Sequence, residues 1–506
     1  MSLKVTDLQS GDARAVYKNS GMDMRTYKRL QMFVHAEKLI DDKTNLRDGD
    51  VSVFLRLGSD SKSNYYEYEV PLSLTEPGNY STYNAQDQEA VWPQSNMFDF
   101  PLSLFTDLKL ERNAKKRMDN STVTFQTRYS SYDPDKNQNK VTIVGNPSLS
   151  DVRTMMIGVR NNSNAAKDIV VWVNEMRLTD FDQSGGWAAK ANVNLGLSDI
   201  ATLNIAGHVE TVGFGGIDQS LTERRLDDYY QYNIATMVEL GRFLPEKVKL
   251  KAPLFYSITE QRTSPKYNPL DQDILLKDAL DNAGSKAERD SISDASIEKS
   301  TVESFSLSGV SFDIRSKNPM PYDPANFSIS YSYNRQSKQD PTTEFENTYD
   351  YRGSFTYSYT PFIKPFVPLK GLKSKSKHLK FLKEWEFNYL PNNIAFNTNM
   401  SRYYYEQQIR DVSGSGGMAL PTSVSKSFLW DRQFSLTWNL TKSINLSLQT
   451  MTNAHIEEPV GVVNKQLFPD EYEAWKDTVL TSIKNLGTPW NYNQTFNASY
   501  TAPFSK

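Results

Sequence analysis

The sequence has no cysteine, which removes disulfides, thiolate metal sites and cysteine nucleophiles together. Histidine is scarce: His35, His208, His378 and His455 are scattered, and none has a partner at metal-ligand spacing. Net charge is nearly absent, since 57 Lys and Arg face 60 Asp and Glu for a formal −3 at pH 7. That balance argues against a whole-chain nucleic-acid binder, which would be clearly basic. Long apolar runs are missing too; none approaches the ~20 residues a membrane-crossing helix needs. Any membrane crossing therefore falls to β-strands. What the chain does hold is aromatic, with 28 Tyr and 25 Phe in 506 residues. Those rings can give sheets one apolar face.

Catalytic signatures are equally thin. No HExxH, GxSxG or P-loop pattern occurs, and Gly213-Phe214-Gly215-Gly216 lacks the third glycine of a dinucleotide loop. Asp133, Asp135, Asn137 and Asn139 imitate the start of a calcium loop, but Gln138 and Val144 stand where glycine and a bidentate glutamate belong. A solvated turn is the better reading. Glu457 and Glu458 are adjacent, and neighbouring strand residues point to opposite faces, which argues against an acid/base pair. Trp92 and Trp172 read as sandwich core, and Tyr403-Tyr404-Tyr405 as an interfacial aromatic girdle rather than a sugar platform. The lysine run Lys364, Lys370, Lys373, Lys375, Lys377, Lys380 and Lys383 reads as a solvated connector. No catalytic residue, cofactor or metal is expected, and the chain is not read as an enzyme. The N-terminus lacks the apolar core of a signal peptide and the C-terminus stops just after a strand-like run, so both ends read as cuts in a longer protein.

Two regions are expected. Residues 1–184 carry β-rich segments of irregular spacing, at 30–36, 51–57, 65–70, 123–129, 155–159 and 169–173, with Asp/Asn/Gly/Pro turns between them. They read as a soluble β-sandwich-like domain. From 187 to 506 the alternation becomes strict. Phe327, Ile329 and Tyr331 interleave with Ser328 and Ser330; Phe355 and Tyr357 with Ser354 and Thr356; Phe434, Leu436 and Trp438 with Ser435 and Thr437. One face is apolar and the other Ser/Thr/Asn, as in a transmembrane β-strand or a half-solvated sandwich strand. About eleven strands are expected, near 188–197, 201–212, 231–241, 252–260, 304–314, 326–335, 349–361, 385–402, 428–440, 443–452 and 492–503. Their connections alternate between shorter ones and longer ones at 213–230, 261–303, 336–348, 403–427 and 453–491, with 362–384 breaking the rule. That alternation favours an outer-membrane barrel. Strand parity then puts residues 1–184 on the long-loop, outer side. Helices are expected at 271–299 and from Pro469 through Trp475, Val479 and Ile483 to a stop at Gly487, and a β-bulge at Gly309. The fold expected is all-β: a sandwich-like domain, then part of a large antiparallel transmembrane barrel with helical loop insertions.

Several segments resemble the SprA/Sov family, outer-membrane translocons of the type IX secretion and gliding motility system of Bacteroidetes. They are Val171-Trp172-Val173-Asn174-Glu175-Met176-Arg177-Leu178-Thr179-Asp180-Phe181, Gly185-Gly186-Trp187-Ala188-Ala189, Phe243-Leu244-Pro245-Glu246-Lys247, Ser264-Pro265-Lys266-Tyr267-Asn268-Pro269-Leu270-Asp271, Tyr389-Leu390-Pro391-Asn392, Trp438-Asn439-Leu440-Thr441-Lys442-Ser443, Glu458-Pro459-Val460-Gly461 and Asn497-Ala498-Ser499-Tyr500-Thr501. The resemblance spans roughly residues 145–504 and is less clear before 145. It implies an outer-membrane location and a large channel for folded cargo, with a smaller barrel partner and a periplasmic plug. No nucleic acid and no catalytic residue follow from it. On this reading Phe327, Ile329, Tyr331, Phe355, Tyr357, Phe434, Leu436 and Trp438 meet lipid, while Ser328, Ser330, Ser354, Thr356, Ser435 and Thr437 line the lumen. The alternative is a secreted or cell-surface β-sandwich array that binds glycans or adhesion partners.

Overall fold

The computed structural model describes residues 1–369, 371, 385–411 and 420–501. The chain forms two compact units. The first comprises Met1–Trp187, Thr211–Asp228 and Ser264–Ser296; the second comprises Ala188–Glu210, Tyr229–Thr263 and Ile297–Lys506.

Two antiparallel sheets make the first unit. One has four strands in the order Ser2–Leu8, Lys167–Phe181, Tyr27–Glu37 and Phe98–Pro101. The other has six: Ala13–Met22, Val152–Asn161, Val51–Gly58, Tyr65–Pro71, Lys140–Val144 and Tyr129–Tyr132. Period-two burial is plain in the Tyr27–Glu37 strand, where Leu30, Met32, Val34 and Ala36 all enter the core. They meet Val53, Leu55, Leu57, Tyr66, Tyr68 and Val159 of the other sheet in one apolar cluster. The six-stranded sheet is covered on its far side as well. There Glu67, fully buried, is gripped by Arg56, Arg128 and Arg160. Burial alone would raise the Glu67 carboxyl's pKa, and Arg160, Arg56 and Arg128 outweigh it to hold the pKa below the usual range.

Four features of this unit depart from the expectation. A helix, Ser103–Lys116, sits in a stretch that carries no clear periodic signal, because its inward stripe mixes Phe105 and Leu108 with the cations Lys109 and Arg112. Trp172 is not core: it pairs with Ser2 and His35 on the outward face of its sheet, and its ring is 44% exposed. Asp133 is not in a solvated turn, because the Tyr68 hydroxyl donates to it at 2.5 Å and buries it. The expected 271–299 helix is also broken up. Asp271–Leu275 is extended and pairs with Tyr267–Asn268, and only Leu276–Asp281 and Lys286–Ser296 are helical.

The second unit is one antiparallel sheet whose eleven long strands follow chain order. They are Ala188–Leu197, Ala201–Glu210, Asp227–Glu239, Pro253–Pro265, Glu298–Phe312, Phe327–Gln339, Thr343–Tyr359, Asn393–Ile409, Ser423–Asn439, Ile444–His455 and Thr488–Tyr500. The sheet does not close on itself; the first and last strands each pair on one side and are exposed throughout. The barrel expectation is therefore met only as an open sheet. The expected long loop at 336–348 is a short turn, 340–342, because both flanking strands run on and Asp340 caps the turn through Thr342 and Thr343. Lys364 lies in the 360–392 connection, whereas Lys370, Lys373, Lys375, Lys377, His378, Lys380 and Lys383 lie outside the described residues. No described helix is long and apolar enough to cross a membrane. The helix Pro469–Lys484 begins at its proline as expected, and the chain leaves it through Leu486 and Gly487, both at positive φ.

The slip at Gly309 is a β-bulge. Register with the neighbouring strand shifts between Leu307 and Val310, and Gly309 has φ +63°. An added Cβ would meet nothing within 4 Å, so the requirement for glycine is conformational. Gly309→Val is expected to destabilise the sheet by ~1–2 kcal/mol. Gly353→Ala, at an ordinary strand φ with equal space, should not; denaturant midpoints of the two variants compare them.

Candidate functional site

Register shows how the large sheet sorts its side chains. Phe327 lies opposite Tyr357, Ile329 opposite Phe355, and Tyr331 opposite Gly353. Tyr357 then faces Phe396, which faces Phe434; Leu436 faces Leu448, which faces Phe496; Trp438 faces Leu446. The rings touch, with Phe327–Tyr357 centroids 5.1 Å apart and Phe305–Tyr331 6.2 Å. On the other face Ser328 lies opposite Thr356, and Ser330 opposite Ser354, which faces Asn399 and then Asp431. Ser435 faces Gln449, and Thr437 faces Ser447. A polar ladder runs through this face, with Asn453 donating to Asp431 at 2.6 Å and Asn491 to Asn453 at 3.1 Å. All eight side chains expected to meet lipid thus share one face, and all six expected to line a lumen share the opposite one.

The apolar face also has an end. Strands such as Thr343–Tyr359 and Ser423–Asn439 run for 17 residues, more than the 9–11 a tilted crossing needs. Counting from the Leu197/Ala201 end of the sheet, the first charged side chains on the apolar face of the inner strands are Glu260, Glu303, Arg335, Arg402 and Arg432. Below them the face is Phe, Tyr, Leu, Ile, Val, Met, Trp and small residues. On Thr343–Tyr359, which carries no charge on this face, the run from Tyr359 to Tyr349 would rise roughly 25 Å at ~3.4 Å per residue and a tilt of ~40°; on Ser423–Asn439 the uncharged run from Trp438 stops at Arg432.

At the upper end a cluster closes over this face. Arg402 bonds Glu458 at 2.8 Å beneath Trp475, whose indole N–H also donates to Glu458 at 2.7 Å. Lys426 donates to the Pro459 carbonyl, and the Val463 amide to the Tyr404 hydroxyl. The 456–487 connection is therefore fastened across the tops of the strands. Glu457 turns away to accept from Thr488, so the adjacent glutamates never converge on one site.

A second polar centre, in the first unit, escaped sequence reading. Lys109, fully buried, bonds Asp271, Asp273 at 2.9 Å and the Pro147 carbonyl. Asp273 also accepts from the Tyr66 hydroxyl at 2.6 Å and the Leu149 amide at 3.1 Å. Arg112, just beyond, donates to the Gly145 carbonyl. Burial raises the Asp271 carboxyl to about 6; Lys109 pulls it down and the Asp273 charge pushes it further up. The cluster joins residues more than 160 positions apart, which no local pattern can announce.

A β-sandwich unit and a large open antiparallel sheet with one apolar and one polar face define the class: a mostly-β protein with two sheet-built units. The chain belongs to the SprA_N family, described as motility related/secretion protein, whose model matches residues 1–280. The match covers the first 145 residues, where the resemblance is less clear from the motifs alone. No curated protein matches the chain. It is thus a motility- and secretion-related protein, and its family suggests association with the cell envelope.

Proposed function

We propose that this chain forms part of the wall of an outer-membrane channel for type IX secretion of folded cargo, linked to gliding motility. The observation that supports this is the continuous two-faced sheet; on this reading the Phe, Tyr, Leu and Trp positions meet lipid while the Ser/Thr/Asn face lines the conduit. An apolar stripe that reaches roughly 25 Å on its tallest strand suits an outer-membrane barrel wall. The wall is passive and takes no catalytic part; energy and gating come from elsewhere. By family resemblance its partners are secreted cargo, a smaller outer-membrane barrel and a periplasmic plug.

Cysteine labelling in the intact gene product tests the proposal. Asp199→Cys lies at a short turn and Glu473→Cys on the helix of the 456–487 connection, at opposite ends of the strands. Ser415, in another long connection, lies outside the described residues. A membrane-impermeant maleimide on intact cells should label the Glu473→Cys variant and spare the Asp199→Cys variant. Equal labelling of both would sink the channel reading and favour an exposed, adhesin-like sandwich array.

A further inference from the structure

The polar face is not merely hydrophilic; over much of its height it is almost free of charge. Along the Phe327–Gln339 strand it presents Ser328, Ser330, Ser332, Asn334 and Gln336 before the first ion, Lys338. Thr488–Tyr500 presents Asn491, Asn493, Thr495, Asn497 and Ser499, and no ion. Ser423–Asn439 gives Asn439, Thr437, Ser435 and Gln433 before Asp431, and Thr343–Tyr359 gives Ser358, Thr356 and Ser354 before Arg352. The ions that do occur on these strands have local partners. Arg352 bonds Asp350 at 2.8 Å, Lys338 lies 3.1 Å from Asp340, and Asp431 accepts from Asn453.

A solvated sheet face that needed only solubility would carry Lys and Glu, the ordinary residues of exposed strands and surfaces. Here hydroxyls and amides replace them strand after strand. Such groups exchange hydrogen bonds with water or with a passing chain without a fixed sign. A lining of ions, in contrast, would retain or repel whatever carries charge, because a confined wall focuses its field.

We infer that this face is a charge-indifferent, hydrogen-bonding lining, and that the class of substrate it passes is polypeptide of either net charge. The inference deepens the channel reading and rests on it. Selection by charge is then left to other parts of the machinery, and this stretch of wall acts as a non-adhesive slide.

The test uses the intact gene product in native membranes with Ser354→Cys. Two water-soluble methanethiosulfonates, one cationic and one anionic, are compared, each rate divided by that for a small free thiol. The normalised rates should agree within about threefold. Adding Ser330→Asp, directly across the ladder from residue 354, should favour the cationic reagent several-fold over the anionic one. A tenfold preference without that carboxylate overturns charge indifference while leaving the channel reading intact. If neither reagent reacts but a lipid-soluble maleimide does, the face meets lipid and the channel reading itself fails. If the added Asp changes nothing, the wall charge does not govern access and the inference is wrong.

Discussion

Lys109→Ala is expected to cost the sandwich unit about 3–5 kcal/mol, the usual price of breaking a buried ion pair. Removing the cation strands Asp273, fully buried, and Asp271, largely so, while the Tyr66 hydroxyl and the Leu149 amide still donate to Asp273. The two aspartates belong to Ser264–Ser296, the connection between the Pro253–Pro265 and Glu298–Phe312 strands. That segment has other ties: Arg25 donates to the Gln272 carbonyl at 2.9 Å, Lys266 pairs with Asp182 at 2.7 Å and Arg117 with Glu288 at 2.9 Å. Those are more exposed pairs of small worth, ~0–1 kcal/mol each. Loss of Lys109 should therefore show as a lower unfolding midpoint and as protease cleavage within 264–296. Adding Asp271→Asn to Lys109→Ala should recover part of the loss, because one stranded charge is gone. A drop below about 1 kcal/mol for Lys109→Ala would mean that water reaches the cluster.

The same cluster sets a pH dependence. Asp271 is a carboxyl whose folded pKa, about 6, lies above its ordinary 3.8. The folded state therefore holds this proton more tightly than the unfolded chain does, and raising the pH across that window subtracts stability. Lys109, Asp273, Tyr66 and Arg112 are the charged or titratable groups around it, and Lys109 limits the loss by favouring the ionised form. Stability of the sandwich unit should accordingly fall between about pH 4 and 6 from this group, and Asp271→Asn should flatten that slope. Glu67 works the other way: its lowered pKa gives stability that is present at neutral pH and lost on acidification. A pH scan of wild type against Asp271→Asn separates the two contributions.

The large sheet was legible in the sequence because its code is local. Alternation of Phe, Ile and Tyr with Ser along 327–333 assigns faces without knowledge of the neighbours, and the phase slip at Gly309 is visible for the same reason. Strand ends were less legible: the upper halves of Thr343–Tyr359 and Asn393–Ile409 leave the apolar pattern while remaining paired, so a loop was expected at 336–348 where a turn stands. The sandwich was legible in kind but not in detail. Trp172 looked like core because tryptophan is usually buried, and its outward phase is fixed only by pairing with His35. The Lys109 cluster and the Arg402–Glu458–Trp475 cap could not be read at all, since a lone buried lysine or arginine has the same sequence signature as an exposed one.

On the channel reading, Phe355→Arg is expected to destabilise the protein in lipid by ~2–4 kcal/mol, the cost of a cation on the lipid face of a barrel near mid-depth. Phe355 lies four residues above Tyr359, the lowest apolar position of its strand, and so roughly 10 Å into the stripe at ~3.4 Å per tilted residue. Its ring also contacts Phe327 and Phe396, at 6.1 and 6.5 Å. Phe355→Leu, which removes the ring but keeps the position apolar, separates the two effects and should cost under ~1.5 kcal/mol. The adjacent change Ser354→Arg should stay within about 0.5 kcal/mol, because on the same reading its neighbours across the ladder, Ser330 and Asn399, lie on the aqueous face and leave the new cation solvated. Reversible urea unfolding in lipid vesicles gives all three numbers. Equal penalties at 354 and 355 would mean that both faces are alike to the solvent, as in a sandwich array outside the membrane. A larger penalty at 354 than at 355 would turn the wall inside out, placing the aromatic face in the conduit and the serines against lipid.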